Sequence, residues 1–154
     1  MLPIFPKAFD NNYRGQWLAV PFLALAALTK LAMSTNAIIM TRTVVEQADH
    51  IDLSRYGADA TTFILFLHQA WALGHGLLAL LAVLALIRYR TMMPLTAILM
   101  LAEQFGRKVL GLVNPIPGVP HDASSIGFLV TQGLYVVLLI ALVLSLWPRA
   151  STKV

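Results

Sequence analysis

Cysteine is absent from the 154 residues. That excludes disulfide staples, thiolate metal sites, iron–sulfur ligation and thiol nucleophiles, and it leaves the redox compartment open. Charge is scarce as well: 12% of the residues are Asp, Glu, Lys or Arg, about half the share of a soluble domain. No glycine-rich phosphate loop, G-x-S-x-G elbow or H-E-x-x-H helix occurs, so no catalytic motif can be named and an enzymatic reading ranks last. Internal repeats, low-complexity tracts and long linkers are also missing, which makes residues 1–154 one domain. The net charge of +4 does not point to nucleic acid, because the basic residues fall at the ends of apolar runs and not on one soluble face.

What the chain has in quantity is apolar length. Hydrophobic residues make up 58% and the mean hydropathy is +0.76. Four runs stand out, over 17–40, 61–87, 93–113 and 125–147. Each is close to or above the ~20 residues that a helix needs to cross a hydrocarbon core. Their apolar positions are continuous and not alternating, so they read as helices and not as barrel strands. The sequence thus predicts an all-α protein, an integral membrane antiparallel four-helix bundle in contact with the lipid bilayer. The first run is too long for a typical signal-peptide core, and "MSTNAIIMTRTVV" lacks a small-residue cleavage pattern, so it is expected to stay as an anchor.

The sequence also accounts for the boundaries. Pro94 falls in the first turn of the third run, where a missing amide costs little. Pro115, Pro117 and Pro120 stop a helix in "NPIPGVPHD", and Ser124 and Ser125 suit the cap of the fourth. Orientation follows from the cations. Lys7, Arg14, Arg88, Arg90, Arg149 and Lys153 gather on one side, while the 41–60 loop sets Arg42 and Arg55 against Glu46, Asp49, Asp52 and Asp59. By the positive-inside rule both termini are cytoplasmic. Trp17, Tyr89 and Trp147 fall at the cytoplasmic helix ends, as an aromatic belt requires.

Polar residues inside the runs share one depth. Lys30 follows Trp17 by 13 residues, His75 precedes Arg88 by 13, Glu103 follows Arg90 by 13 and Tyr135 precedes Arg149 by 14. At 1.5 Å per residue each lies about 20 Å from the cytoplasmic charges. Because ionisable residues in lipid normally face a bundle interior, Glu103 is expected to pair with Lys30, with His75 and Tyr135 completing hydrogen bonds. Arg107, one turn from Glu103, can share the carboxylate, and Gln132 is expected to meet it there. The glycines of "LGHGL" admit a close neighbouring helix. Lys108 points away and can snorkel.

Such a layer has a purely structural reading, as helix–helix glue. It also has a ligand-binding reading, for a small polar or quinone-like head group. A third reading is proton or ion transport, which in a chain with four helices requires an oligomer. Haem ligation is disfavoured, because His68 and His75 share one helix and only His121, in an outer loop, could meet His68. His50 with Asp49 and Asp52 carries metal-ligating atoms, yet an acidic solvated loop is the ordinary explanation and no metal site is assigned. The scattered methionines read as packing. No cofactor is therefore named, with haem and quinone left open. The 41–60 loop is expected to hold short amphipathic or strand-like pieces, such as "RTVVEQ" and "IDLSRYG", as a lid or docking surface.

The run "LALAALTKLAM", with its mid-helix lysine, resembles the DoxX-type small bacterial membrane proteins, with alanines where that family's first helix is rich in glycine. "RYRTMMPLTAILMLAEQFGRK" is similar to a group of uncharacterised four-span bacterial proteins. The resemblance implies a four-helix chain associated with quinone-linked electron transfer and redox homeostasis, often as a subunit of a larger assembly. The lack of a cleavable presequence leads us to expect a bacterial inner membrane, and the chain reads as a non-catalytic subunit of a homo-oligomer or larger complex.

Overall fold

The computed structural model describes residues 4–115 and 126–149. Its four long helices are α1 (Ala19–Ile39), α2 (Ala58–Ile87), α3 (Met93–Val113) and α4 (Ile126–Leu146). Among the described residues no strand forms; the sole β-type pairing is an isolated bridge between Gly15 and Pro148. Three segments, Ala19–Ile39, Ala58–Ile87 and Gly127–Leu146, are long and apolar enough to cross a membrane, which marks an integral membrane protein. α3 matches α1 in length with 21 residues, but Glu103, Arg107 and Lys108 lower its apolar character.

Local sequence sets the helix ends. Pro21 lies in the first turn of α1, where its missing N–H has no intrahelical partner to lose. α2 starts three residues before the expected Thr61, because Gly57 is extended (φ −64°, ψ 163°) and Asp59 in the first turn suits the positive helix end. α3 opens with Pro94 in its first two positions. The expected prolines Pro117 and Pro120, the caps Ser124 and Ser125, and also His121 and Lys153, lie outside the described residues.

The segment between α1 and α2 is helical and not strand-like. A short turn at Thr41–Thr43 leads into a π-helical turn at Val44–Ala48 and then a 3₁₀ turn at Leu53–Arg55. His50 reverses the chain with φ of 56°, a left-handed conformation that histidine tolerates better than most residues. Asp52 accepts hydrogen bonds from the Ser54 amide at 3.1 Å and hydroxyl at 2.6 Å, and Val45 and Leu53 pin the segment with buried side chains.

In the packing, α1 touches α2 most, then α4, and α3 lies between α4 and α2. α1 and α3 therefore face each other across a diagonal. The buried faces of α1 and α2 are rich in small residues, Ala19, Ala26, Ala27, Ser34 and Ala37 on α1 and Ala72, Gly76, Ala79, Ala82 and Ala85 on α2. Ser34 meets Ala72 and Gly76 across the seam. Small side chains let two backbones approach closely. At Gly76 a Cβ would run into Ser34 Oγ. Leu23, Met93, Met100, Leu134 and Leu138 fill the centre.

This core occupies one half of the molecule. On α2 no side chain before Ala72 is buried, on α3 none after Gln104, and on the described part of α4 none before Leu134. The closed half is the end bearing Arg14, Arg88, Arg90 and Arg149. There the N-terminal strand of chain crosses the bundle: the Asp10 amide donates to Thr91 Oγ1 (3.1 Å), the Gln16 side chain to the Pro148 carbonyl (2.9 Å), and the Arg149 amide to the Arg14 carbonyl (2.9 Å). Gly15 is required at this crossing, since a Cβ would meet the Ser145 carbonyl and the Tyr13 phenol.

Candidate functional site

Where the closed half gives way to the open half, the polar side chains meet. Lys30 of α1 is fully buried and its ammonium donates to Glu103 Oε2 of α3 at 2.5 Å. The pair spans the diagonal of the bundle. His75 of α2 completes the group: Nδ1 lies 3.3 Å from Glu103 Oε1, and both ring nitrogens lie 3.4 Å from Lys30 Nζ. With a proton on Nδ1 the ring donates to the carboxylate.

Arg107 follows Glu103 by one turn, with Nε 3.0 Å from Glu103 Oε1. This contact is an ion pair without hydrogen-bond alignment, because Arg107 Nε has no hydrogen-bond partner. Its Nη2 instead donates to Gln104 Oε1 at 2.5 Å, and the guanidinium lies 4.7 Å over the Trp71 ring, an attractive cation–π geometry. Tyr135 joins through the backbone, donating to the Gln104 carbonyl at 2.7 Å. It does not reach Glu103 or Lys30. Gln132 is half-buried and forms no hydrogen bond to this group, so its expected meeting with Arg107 and Glu103 does not occur. Lys108 is exposed, one turn beyond Gln104 toward the end of α3.

Three participants escaped the depth argument. Gln104 continues the buried stripe Met93, Ala97, Met100 at positions i, i+4, i+7 and i+11, a spacing readable from sequence. Trp71 lies between His68 and His75 at i+3 and i+7 from His68, with ring centroids 5.2 and 5.4 Å apart. Ser34, one turn beyond Lys30, donates to the Ala72 carbonyl at 2.7 Å.

Polar and aromatic groups thus form a ladder from the loop to the bundle centre. Asp49 Oδ2 stands 3.5 Å from His68 Nδ1. Then come Trp71 with Arg107, and finally Glu103 with His75 and Lys30. Although 44% of the Asp49 side chain stays open, burial of its surroundings pushes its carboxyl above the usual range, opposed by His68, Arg107 and His50. Asp52 is held below that range by its hydrogen bonds to Ser54 and Arg55. It is therefore spent on its own turn, and among the described residues no three His, Asp or Glu side chains converge as a metal set.

The ladder carries unspent hydrogen-bonding capacity. Gln104 Nε2 and His68 Nε2 are buried without a hydrogen-bond partner, and Arg107 Nε meets Glu103 only as an ion pair. Leaving a buried polar group without a hydrogen bond costs about 1–3 kcal/mol. Comparison with protein-family models, with curated proteins and with solved structures gave no match.

Proposed function

We propose that this chain is a four-span protein of the bacterial inner membrane, with both termini cytoplasmic. The polar ladder at its centre binds the head group of a small ligand, quinone-like in pattern. α3 crosses with the other helices because Glu103 and Arg107 turn toward Lys30 on α1 and toward His75 and Trp71 on α2, which removes much of the cost of placing them in lipid. Lys108 snorkels from its outer end. The distribution of Lys and Arg sets the orientation.

The observation that carries the ligand reading is the two buried atoms without hydrogen bonds on Gln104 and His68, with Arg107 Nε between them meeting Glu103 only as an ion pair. A purely structural layer has no use for spare donors. A quinone offers two carbonyl acceptors and a flat ring able to stack beside Trp71. The resemblance of the first helix to DoxX-type proteins points in the same direction, as does their habit of serving within larger assemblies.

The test is a titration of detergent-solubilised protein with decylubiquinone, read by tryptophan fluorescence. Trp71 lies in the ladder, whereas Trp17 and Trp147 are at the basic end. Saturable quenching is expected in the wild type. It should be absent in Trp71→Phe and weakened about tenfold or more by Gln104→Leu or Arg107→Ala, the magnitude of losing one well-placed polar contact. Quenching that never saturates, or is indifferent to these substitutions, sinks the proposal.

A second reading is proton relay. It is supported by the titratable sequence Asp49, His68, His75 and Glu103, which runs from an exposed loop to the centre. It requires pH-driven flux in proteoliposomes that Glu103→Gln abolishes. Sealed vesicles without such flux dismiss it.

A further inference from the structure

The basic end holds a second feature that the ladder does not explain. The crossing of the N-terminal chain under the bundle leaves a cavity of about 320 Å³ among Lys7, Asp10, Asn12, Arg14, Thr91 and Pro94. That is the low end of ligand-sized pockets and suits a head group better than a whole lipophilic molecule. Neither Lys7 nor Arg14 has an ion-pair partner among the described residues. Asp10 is the one carboxylate in the wall, and its Oδ1 already accepts the Asn12 amide at 2.9 Å. Thr91 and Pro94 mark the start of α3, a 21-residue helix whose N-terminus has no side-chain cap. Its positive end therefore adds to the cations.

The surroundings specify where this cavity sits. Phe5, Phe9, Trp17 and Trp147 are each at least 60% exposed at this same end, although large aromatics are costly to leave in water. Exposed aromatic rings beside Lys and Arg, at the ends of lipid-length helices, are the pattern of a membrane–water interface. A pocket with uncompensated positive charge at that level faces the phosphates of the leaflet.

We propose that this cavity seats the phosphate group of an anionic membrane phospholipid, held by Lys7 and Arg14 at the start of α3. The bound lipid ties the N-terminal crossing to the α2–α3 connection, which the Asp10–Thr91 hydrogen bond already joins. This inference rests on the membrane placement proposed above and is independent of the ladder and its ligand.

Native mass spectrometry of the full-length protein in detergent tests it, with phosphatidylglycerol and phosphatidylcholine added separately. The wild type is expected to retain phosphatidylglycerol about tenfold better than phosphatidylcholine, and Lys7→Gln/Arg14→Gln should lower it to the phosphatidylcholine level. Lys7→Arg/Arg14→Lys, which keeps both charges, should preserve the preference. Arg42→Gln/Arg55→Gln, at the opposite end, should leave it untouched. Equal retention of the two lipids, undiminished binding in Lys7→Gln/Arg14→Gln, or loss in the charge-keeping variant overturns the proposal. Displacement of phosphatidylglycerol by millimolar inorganic phosphate would assign the pocket to a soluble phosphate compound and overturn the lipid form.

Discussion

Lys30 and Glu103 are unequal partners, and substitution should reveal it. Glu103 also touches His75 and Arg107, so Lys30→Met leaves the carboxylate with company. Glu103→Gln leaves a fully buried ammonium beside a second cation and no counter-charge. Breaking a buried pair in this way costs about 3–5 kcal/mol. Denaturant unfolding in detergent should therefore place Glu103→Gln well below Lys30→Met, with the double variant closer to Lys30→Met than to Glu103→Gln. Equal losses for both single variants would contradict this hierarchy.

Tyr13 gives a residue-scale prediction on pH. Its phenol donates to the Gln16 carbonyl at 3.0 Å, and burial pushes its pKa up to about 12 from 10.0. The neutral form is the one the fold favours. The stability it contributes is complete below pH 10 and is lost as pH rises through about 12. Melting temperature followed from pH 9 to pH 12 should fall in the wild type and flatten in Tyr13→Phe. A parallel fall in both would place the alkaline loss elsewhere.

At the scale of elements, the α1–α2 seam depends on Gly76 and is indifferent to Gly74. A methyl at position 76 collides with Ser34 Oγ, whereas one at position 74 meets nothing within 4 Å. Gly76→Ala should cost about 1–3 kcal/mol through overpacking, and adding Ser34→Ala should recover part of it. Gly74→Ala should be neutral or stabilising by up to about 1 kcal/mol, since alanine favours a helix. Thermal unfolding of the four proteins decides this, and a destabilised Gly74→Ala would show that the outer face of α2 is covered by another chain.

The helices themselves were legible as elements because continuous apolar length needs no tertiary information. The 93–113 reading coincides with α3, and the others differ by one to three residues at caps such as Gly57. The strand-like reading of "RTVVEQ" failed because Val45 must face inward from a chain that leaves α1 still coiled, and a π-turn achieves this without breaking the winding.

For the whole molecule, the claim is one of sidedness. The absence of cysteine makes labelling direct: Ser54→Cys in the α1–α2 segment and Arg88→Cys at the basic end each supply a single thiol. On intact cells a membrane-impermeant maleimide should label Ser54→Cys and spare Arg88→Cys until the membrane is opened. The reverse pattern would invert the proposed topology, and with it the leaflet that supplies the phospholipid.

Sequence by itself determined how far along each helix the polar residues lie. Axial rise is fixed at 1.5 Å per residue whatever the neighbours, and so Lys30, His75 and Glu103 could be placed at one depth. Rotation about each helix axis has no such rule, because it is settled by which small residues let the backbones close together. Only the tertiary structure therefore decided that Glu103 crosses the diagonal to Lys30, that Tyr135 stops at the Gln104 carbonyl, that Gln132 stays apart, and that Trp71 and Gln104 belong to the site.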